Sequence, residues 1–469
     1  MSTSSFADVS VDLLRRYNVQ GPRYTSYPTA PMWRQDLSPA DYGTILEKSG
    51  EGPEPAPLSL YVHLPFCEKL CYFCGCTVVI TGSRHVPESE YLDVLEREID
   101  WVSERVDPNR ADGRRRQIVQ LHWGGGTPTY FPPELLERLA RRLFDRFTFA
   151  SDAEIGIEVD PRVTTPQQLE TLARLGFNRL SMGVQDFDPK VQAAINRIQP
   201  EADTRRLVEQ ARGLGFSSLN IDLIYGLPHQ TPETFAATID RVLSIGPDRL
   251  AVYSYANVPW MKKHQTVLEP HLPAERTKFE IFRTALSRFT SAGFEYIGMD
   301  HFARPEDELA RARRDRTLHR NFQGYTTKAG TDLIGFGMSA IGSVGDHYVQ
   351  NRRELPAYRQ SVDAEGAASF RGIRLSPEDR LRRAVIGSLL CHGVVVKSEI
   401  ERRFAIDFDA HFGDALEKLE GCAADGLVEL SREEIRATEL GRVFLRNLAM
   451  PFDAYLEAAP EKPVYSRTL

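Results

Sequence analysis

Short apolar runs rich in β-branched residues alternate with amphipathic segments from residue 58 to about residue 300. The runs have the length of buried strands, and the segments between them repeat apolar residues with the period of a helix. This pattern predicts strands at Ser59–Leu64, Ile118–Trp123, Ile155–Asp160, Arg179–Val184, Ser218–Leu223 and Leu250–Tyr255. It predicts helices at Ser89–Val106, Pro133–Phe144, Pro166–Leu175, Glu201–Leu214 and Pro232–Leu243.

Proline and glycine mark the ends of several of these helices. Proline is tolerated in a first helical turn, and glycine suits the left-handed residue that ends a helix. Strands that alternate with helices in this way form a parallel sheet with helical crossovers. Six such units, rather than the eight of a closed barrel, predict an α/β fold built as a partial (β/α)6 barrel. The marker residues are Pro133, Pro166, Pro232, Gly176, Gly215 and Gly246.

The pattern divides the chain into three parts. Residues 1–45 form an N-terminal arm, residues 46–372 hold the barrel, and residues 373–469 form a smaller, mostly helical domain. Length supports the division, because 469 residues exceed what one hydrophobic core usually organises. The last part has a winged-helix-like order: helices Pro377–Leu390, Ser398–Phe404 and Asp409–Ala424, strands Leu427–Leu430 and Glu434–Ala437, and a further helix.

Winged-helix domains often bind DNA, but charge argues against a nucleic-acid partner here. The chain carries a formal net charge of -7, and residues 373–469 hold 14 lysines and arginines against 17 aspartates and glutamates. Phosphate contacts dominate nucleic-acid affinity, so we expect no nucleic-acid partner and interpret the last domain as a lid or packing module. Without a signal peptide or a run of 18 apolar residues, we expect no membrane span and a cytoplasmic protein.

Four of the six cysteines fall within ten residues. Cys67, Cys71 and Cys74 have the spacing C-x3-C-x2-C, and Cys76 follows two residues later. In a reducing compartment such a group indicates a metal site rather than disulfides. Thiolates select zinc, copper(I) or iron–sulfur clusters, and a structural zinc site needs four closed ligands. Three thiolates with one open position suit a 4Fe-4S cluster. The alternatives are a zinc site completed by Cys76 or His63 and a chance group of buried cysteines.

Unusual polar and glycine residues stand where the predicted strands end. In parallel βα folds the loops after the carboxyl ends of the strands build the functional site. Each placement alone fits an ordinary turn or N-cap, but their agreement over successive strands is a strong signal. Consecutive glycines also allow backbone to approach a ligand closely. The placements are Cys67, Gly124–Gly126, Glu158, Gln185, Asp222 and Ala256, at the first to the sixth strand in turn.

Four longer segments resemble one known family. They are Arg23–Thr29 (RYTSYPT), Cys74–Cys76 (CGC), Trp123–Pro128 (WGGGTP) and Asn321–Thr327 (NFQGYTT). Together with the three-cysteine loop, they resemble the oxygen-independent coproporphyrinogen III oxidases, also called dehydrogenases, a branch of the radical S-adenosylmethionine (SAM) superfamily. The resemblance runs from about residue 20 into the last domain. Haem-binding carriers of the same branch are the alternative, but such relatives usually lack counterparts of Cys76 and of the Arg23–Pro28 segment.

The resemblance implies one 4Fe-4S cluster per chain, held by Cys67, Cys71 and Cys74, and two SAM molecules. It implies radical decarboxylation of two propionates of coproporphyrinogen III to vinyl groups, giving protoporphyrinogen IX in anaerobic haem biosynthesis. It also implies an electron donor, an electron acceptor, a monomeric chain and an arm that lies over the active site. The first SAM would contact Tyr61, Gly125, Glu158 and Ile341, and the second Phe73, Gly126, Thr127, Gln185, Arg197, Asp222 and Ala256.

Three further features have simpler interpretations. Gly335–Ala340 matches the dinucleotide fingerprint G-x-G-x-x-A, but the match is weak because only the short Leu333–Ile334 could serve as its strand. The basic runs Arg110–Arg116 and Arg304–Arg320 are interpreted as a solvated loop and a charged helix face. A substrate with several carboxylates would nevertheless need some of these arginines. Ordinary core positions are expected for Cys391 and Cys422.

Overall fold

The computed structural model describes residues 10–51, 53–82, 88–107, 115–456 and 465–468. The start of the N-terminal arm and most of the basic run at 110–116 lie outside the described residues. The strands are β1 (Leu58–Leu64), β2 (Phe66–Cys67), β3 (Val79–Ile80), β4 (Gln117–Gly125), β5 (Thr148–Val159), β6 (Arg179–Gln185), β7 (Ser218–Tyr225), β8 (Arg249–Ser254), β9 (Glu295–Gly298), β10 (His301–Ala303), β11 (His319–Asn321), β12 (Gly324–Thr326), β13 (Asp332–Phe336), β14 (Ile341–Val344), β15 (His347–Asn351), β16 (Ser369–Arg374), β17 (Val394–Val396), β18 (Val428–Leu430) and β19 (Glu434–Ala437). The α-helices are α1 (Val11–Tyr17), α2 (Pro39–Ser49), α3 (Glu88–Val106), α4 (Pro133–Arg146), α5 (Pro166–Arg174), α6 (Pro189–Ala194), α7 (Glu201–Gly213), α8 (Pro232–Ile245), α9 (Glu275–Ser291), α10 (Glu308–Arg314), α11 (Leu355–Glu365), α12 (Pro377–His392), α13 (Lys397–Phe404), α14 (Phe408–His411), α15 (Gly413–Ala424) and α16 (Leu445–Ala449). Short 3₁₀ turns occur at Ala30–Met32, Pro128–Tyr130, Lys263–His271, Gly441–Phe444 and Met450–Phe452.

One 12-stranded sheet organises the molecule, in the order β16-β15-β14-β13-β1-β4-β5-β6-β7-β8-β10-β9. The strands from β13 to β8 are parallel, and antiparallel strands extend both edges. Within the described residues β16 and β9 do not pair with each other, so the sheet is a partial barrel, as predicted. All six predicted strands and all five predicted helices of this region are present, with ends shifted by a few residues.

One parallel strand of the sheet, β13, was not among the six strands predicted from the sequence. β13 spans Asp332–Phe336, is buried along its whole length and pairs with β1, so the expectation of a short Leu333–Ile334 strand was wrong in extent. Its glycine lowers strand propensity, but Gly335 is required because an added Cβ would lie 2.6 Å from the carbonyl oxygen of Ile341. The antiparallel β14 follows instead of a helix. The segment is therefore not a dinucleotide-binding turn.

Two other expectations are corrected. Asp222 does not end its strand, because β7 continues to Tyr225. The single helix expected at Asp409–Ala424 is divided at Phe412, a buried residue with a non-helical backbone, into α14 and α15.

The interpretation of the first basic run as a solvated loop fails for its last residue. Arg116 is buried, and its guanidinium pairs with Asp107 and Asp332, each at 2.9 Å. This pairing connects the start of β4 to the end of α3 and the start of β13. Arg116 therefore stabilises the barrel at the amino ends of β4 and β13, and it is unavailable to a ligand.

The last part of the chain has the predicted order of helices followed by paired strands. β18 and β19 form an antiparallel pair, and β17 joins them in a three-stranded sheet. Cys391 and Cys422 are buried free cysteines, as expected. No helix among the described residues is long and apolar enough to cross a membrane.

The arm packs onto the rest of the molecule through its aromatic residues. Tyr24 is buried and donates a hydrogen bond to Asp453 at 3.0 Å, and the hydroxyl of Tyr27 accepts one from the backbone of Ala454. Arg23 pairs with Asp300 at 2.9 Å. These contacts fix the arm between the barrel and the last domain, and the domain boundaries at 45 and 372 stay a prediction.

Candidate functional site

A cavity of about 500 Å³ lies at the carboxyl ends of the parallel strands, beside the cysteine loop. The side chains that line it come from the loops and strand ends at which the sequence analysis placed unusual polar residues. Tyr61, Ala256 and Ile341 lie outside its lining. The predicted residues that it brings together are Cys67, Cys71, Phe73, Cys74, Gly125, Gly126, Thr127, Glu158, Gln185, Arg197 and Asp222.

The cysteine loop is held from outside by the segment that follows β8. Lys262 Nζ donates to the carbonyl oxygen of Cys76 at 2.7 Å, and Gln265 donates to that of Phe73 at 3.0 Å. His264 Nε2 lies 2.9 Å from the carbonyl oxygen of Cys74 and donates to it. Because these bonds use main-chain oxygens, they fix the loop and leave the cysteine sulfurs free to bind metal.

The three glycines at the end of β4 are each required by a different neighbour. A Cβ on Gly124 would lie 2.8 Å from the Glu158 carboxyl carbon, and one on Gly125 would lie 2.4 Å from the His63 ring. A Cβ on Gly126 would lie 2.6 Å from the backbone of Pro65. Gly125 also has a φ of 111°, which is strained for other residues. The glycines therefore let the end of β4 touch both the cysteine loop and Glu158.

Glu158 is held in an ionised form at the cavity wall. Its carboxylate accepts a hydrogen bond from the Gly125 N–H at 3.1 Å and lies 3.4 Å from His122 Nε2. Desolvation acts to raise the pKa of Glu158, but His122 and the Gly125 N–H outweigh it and lower the pKa. The carboxylate is thus an acceptor suited to hydroxyl or ammonium groups.

Tyr61 sits beside this carboxylate, although it lies outside the cavity lining. Its ring stacks on His122 at a centroid distance of 6.2 Å, and its hydroxyl donates to His63 Nδ1 at 3.1 Å. His63 is buried, which lowers its pKa, and its Nε2 donates to the carbonyl oxygen of Thr77 at 2.9 Å. The two histidines, which the sequence analysis did not assign to the SAM sites, orient Tyr61. Alternation along β1 and its register with β4 would have been the signal for them.

Two arginines surround the sulfur of Cys71. Arg197 and Arg162 point guanidinium nitrogens at it from 3.6 Å and 3.7 Å, and both pair with Asp160, at 3.0 Å and 2.7 Å. Burial opposes ionisation of Asp160, but the two arginine charges lower its pKa. The sequence analysis missed the roles of Arg162 and Asp160. Arg162 and Arg197 therefore place positive charge next to the Cys71 sulfur.

Asp222 also lines the cavity, with a different environment from Glu158 and Asp160. Burial raises the pKa of Asp222 to about 7, although a hydrogen bond from Asn220 at 2.7 Å acts in the opposite direction. This residue is therefore partly protonated near neutral pH. It can donate as well as accept a hydrogen bond, which the sequence analysis did not foresee.

The loop and cavity fit an iron–sulfur cluster. The three cysteine sulfurs all face one cavity, and the loop main chain is held independently of them. In the described residues no three His, Cys, Asp or Glu side chains converge as they would around a single ion. A four-iron cluster does not need such convergence, because each cysteine binds its own iron atom.

A partial parallel βα barrel with a three-cysteine loop after its first strand defines a radical SAM protein. The family model of the radical SAM superfamily matches residues 61–242, and that of the HemN C-terminal domain matches residues 375–444. Such proteins hold a 4Fe-4S cluster and use SAM.

Full-length relatives are more specific. The chain is 47% identical to the oxygen-independent coproporphyrinogen III oxidase of Salmonella typhimurium, over 98% of this chain and 99% of the relative. It is 41% identical to that of Synechocystis, over the whole of both chains. The solved structure of coproporphyrinogen III oxidase (HemN) from Escherichia coli, described as a radical SAM enzyme, superposes with a TM-score of 0.89 at 46% identity, over 96% of this chain and 99% of that one. The chain therefore belongs to the oxygen-independent coproporphyrinogen III oxidase family.

We predict that Cys67, Cys71 and Cys74 alone hold the cluster. Replacing any one of them with serine should remove most of the bound iron and sulfide, because a three-ligand cluster loses a third of its protein bonds. Cys76→Ser is the matched control, and it should retain iron and sulfide at the level of the unchanged chain. Equal loss of iron in Cys76→Ser would contradict the assignment and indicate a site with four thiolates.

We also predict that Asp222 lowers the free energy of unfolding by an amount that depends on pH. The raised pKa means that the folded chain keeps this proton while the unfolded chain releases it, so folding stability falls between about pH 4 and pH 7. Asp222→Asn should therefore be more stable than the unchanged chain at pH 8, by ~2 to 4 kcal/mol, and equal to it near pH 4. Urea unfolding of cluster-free protein measures the difference, with the exposed Asp152→Asn as control. A gain that is the same at both pH values would refute the prediction.

Proposed function

We propose that the chain converts two propionate side chains of coproporphyrinogen III to vinyl groups, giving protoporphyrinogen IX, by SAM-dependent oxidative decarboxylation. The observation that carries this proposal is the 41–47% identity to named oxidases over nearly the full length, with the three-cysteine loop facing a cavity. Each conversion removes one hydrogen atom, one electron and carbon dioxide from a propionate. The cluster and SAM, when bound, supply the one-electron chemistry that removes the hydrogen atom.

The residues of the chain would position these groups and set their charge. Cys67, Cys71 and Cys74 hold the cluster, and Arg162 and Arg197 place positive charge beside the sulfur of Cys71. The ionised Glu158 accepts hydrogen bonds from hydroxyl or ammonium groups of SAM. Tyr61, oriented by His63 and His122, would lie beside the same molecule, and the resemblance adds Ile341.

We assign a second SAM to the side of the cavity that holds Arg197. Nη1 and Nη2 of this arginine are used by Asp160 and by the carbonyl oxygen of Gly183, but its buried Nε has no hydrogen-bond partner. A carboxylate of SAM would supply that acceptor. The remaining contacts of the second molecule would come from Phe73, Gly126, Thr127, Gln185, Asp222 and Ala256.

The chain should act as a cytoplasmic monomer that receives electrons from a separate donor and passes electrons to a separate acceptor. Gly75 and Cys76 in the cysteine loop are exposed, and Cys76 also lines the cavity, which offers a donor a short path to the cluster. Sedimentation at several protein concentrations tests the monomer, and a mass that rises with concentration would contradict it.

An anaerobic assay tests the proposed reaction. Reconstituted protein, SAM, a strong reductant and coproporphyrinogen III should yield the tricarboxylate intermediate and then protoporphyrinogen IX, which are separated after oxidation. Cys71→Ser is the control that should give neither product. Binding of haem without any decarboxylation would support the carrier alternative instead, against the presence of Cys76 and of Arg23–Pro28.

Arg197 and Arg162 both contact Cys71, but the assignment of two SAM molecules predicts that replacing them has different effects on SAM binding. In Arg197→Ala the number of SAM molecules bound per cluster should fall from two to one, because a charge-assisted bond contributes ~10- to 100-fold to affinity. Arg162→Ala is the matched control, since it loses the same contacts to Asp160 and Cys71 but should still bind two. Equilibrium binding of labelled SAM provides the count. A count of one in the unchanged chain would contradict the second site.

A further inference from the structure

A second cavity, of about 520 Å³, lies between the N-terminal arm, the β11–β12 hairpin, strand β14 and helix α12. Its lining contains four arginines, and we call it the arginine cavity: Arg320, Arg380, Arg383 and Arg403. Among the described residues its one acidic lining residue is Asp332, which is already paired with Arg116 at 2.9 Å. The cavity is therefore strongly positive in a chain whose net charge is -7.

Three of these arginines, Arg320, Arg383 and the exposed Arg403, have no carboxylate partner in the part of the chain that the structure describes. Arg320 contacts the ring of Tyr325 at 5.0 Å from its centroid, and its Nε and Nη1 are buried without a hydrogen-bond partner. Arg383 has one weak contact, to the hydroxyl of Tyr348 at 3.4 Å. Arg380, by contrast, pairs with Asp346. Buried guanidinium nitrogens without acceptors are costly, so those of Arg320 point to a ligand that supplies acceptors, and Arg383 is free to bind the same ligand.

Helix α12 makes room for such a ligand. It lines the cavity with Ala384, Gly387 and Ser388, which recur at helical spacing on the face that also carries Arg383. Gly387 is in the interior of the helix, where glycine is unfavourable, and a Cβ added there would meet no atom within 4 Å. No internal packing requires glycine at this position. The small side chains therefore leave open a volume next to the arginines.

The arginine cavity reaches the amino end of β13, and strand β14 connects it to Ile341, a residue assigned to the proposed reaction site. Ser343 lines it, and Ile341 lies two residues earlier on the same face of β14. Phe322 and Tyr348 also line it, and both pack on Trp33, in the apolar group that includes Ile341. Ile341 is the residue that the resemblance places on the first SAM. A molecule anchored in the arginine cavity would thus extend toward that SAM.

We propose that the arginine cavity binds carboxylates of the tetrapyrrole substrate, with Arg320 and Arg383 each holding a propionate that is retained in the product. A reacting propionate loses its carboxylate as carbon dioxide and cannot anchor the molecule through both conversions, whereas the two retained ones can. The planar guanidinium matches a carboxylate with two hydrogen bonds. This inference rests on the proposed function and names the residues that orient its substrate.

Binding of coproporphyrin III, the stable and fluorescent oxidised form of the substrate, tests the inference without turnover. We expect Arg320→Gln and Arg383→Gln each to weaken its binding by ~10- to 100-fold. Arg320→Lys, which keeps the charge and loses the paired geometry, should lie between. Arg311→Gln is the matched control, because Arg311 belongs to the same basic run and is exposed. The tetramethyl ester of coproporphyrin should bind weakly to every variant, since it has no carboxylate charge.

Filling the cavity provides a test that does not alter charge. Gly387→Leu should abolish coproporphyrin binding while iron content and SAM binding stay unchanged. Gly421→Leu is its control, because Gly421 is an exposed glycine of α15 whose added Cβ also meets nothing within 4 Å. Under turnover, the arginine variants should raise KM for coproporphyrinogen III more than they lower kcat.

The outcomes separate this inference from the proposed function. Unchanged coproporphyrin affinity in both glutamine variants, or an equal effect on the tetramethyl ester, would overturn the arginine assignment even if the unchanged chain makes protoporphyrinogen IX. Lower affinity in both variants would support the assignment even if the unchanged chain decarboxylates nothing, in which case the proposed reaction fails and tetrapyrrole binding stands.

Discussion

The site depends on one contact, between the end of β4 and residues 63–66, which lead into the cysteine loop. Gly124, Gly125 and Gly126 bring this strand end against Glu158, His63 and Pro65, with no space for a Cβ at any of the three. The contact sets where the loop lies relative to the cavity, and it places the Gly125 N–H on the Glu158 carboxylate. A larger residue would have to move the loop or the carboxylate. The glycines therefore position the metal ligands in addition to leaving space for a ligand.

Positive and negative side chains of the site are paired with each other and are largely shielded from water. Arg162 and Arg197 share Asp160 and surround the sulfur of Cys71, so that positive charge lies next to a ligand of the cluster. Within the described residues Asp222 has no hydrogen bond from an arginine, and burial raises its pKa. Asp160 and Asp222 thus differ in ionisation because their surroundings differ. The difference allows the two carboxyl groups different roles toward a bound molecule.

The sequence was sufficient for the barrel because its strands are short apolar runs separated by helices with clear ends. It was also sufficient for the metal ligands, since Cys67, Cys71 and Cys74 are neighbours in the chain. It was insufficient for β13, whose Gly335 breaks the apolar pattern. It was also insufficient for Arg162, because its contact with Cys71 depends on how distant loops meet in the fold. The roles of individual arginines could not be predicted either, because composition does not distinguish paired from unpaired side chains. Arg116 is paired with carboxylates inside the protein, whereas buried nitrogens of Arg320 have no hydrogen-bond partner among the described residues.

The central claim is that three cysteines hold a 4Fe-4S cluster with one iron open to SAM. Electron paramagnetic resonance of the reduced, reconstituted protein measures this directly, because a ligand that binds an iron changes the g values of the cluster. We expect added SAM to shift the spectrum, and Cys76→Ser to show the same shift. A cluster spectrum that SAM leaves unchanged, in protein that demonstrably binds SAM, would contradict the account.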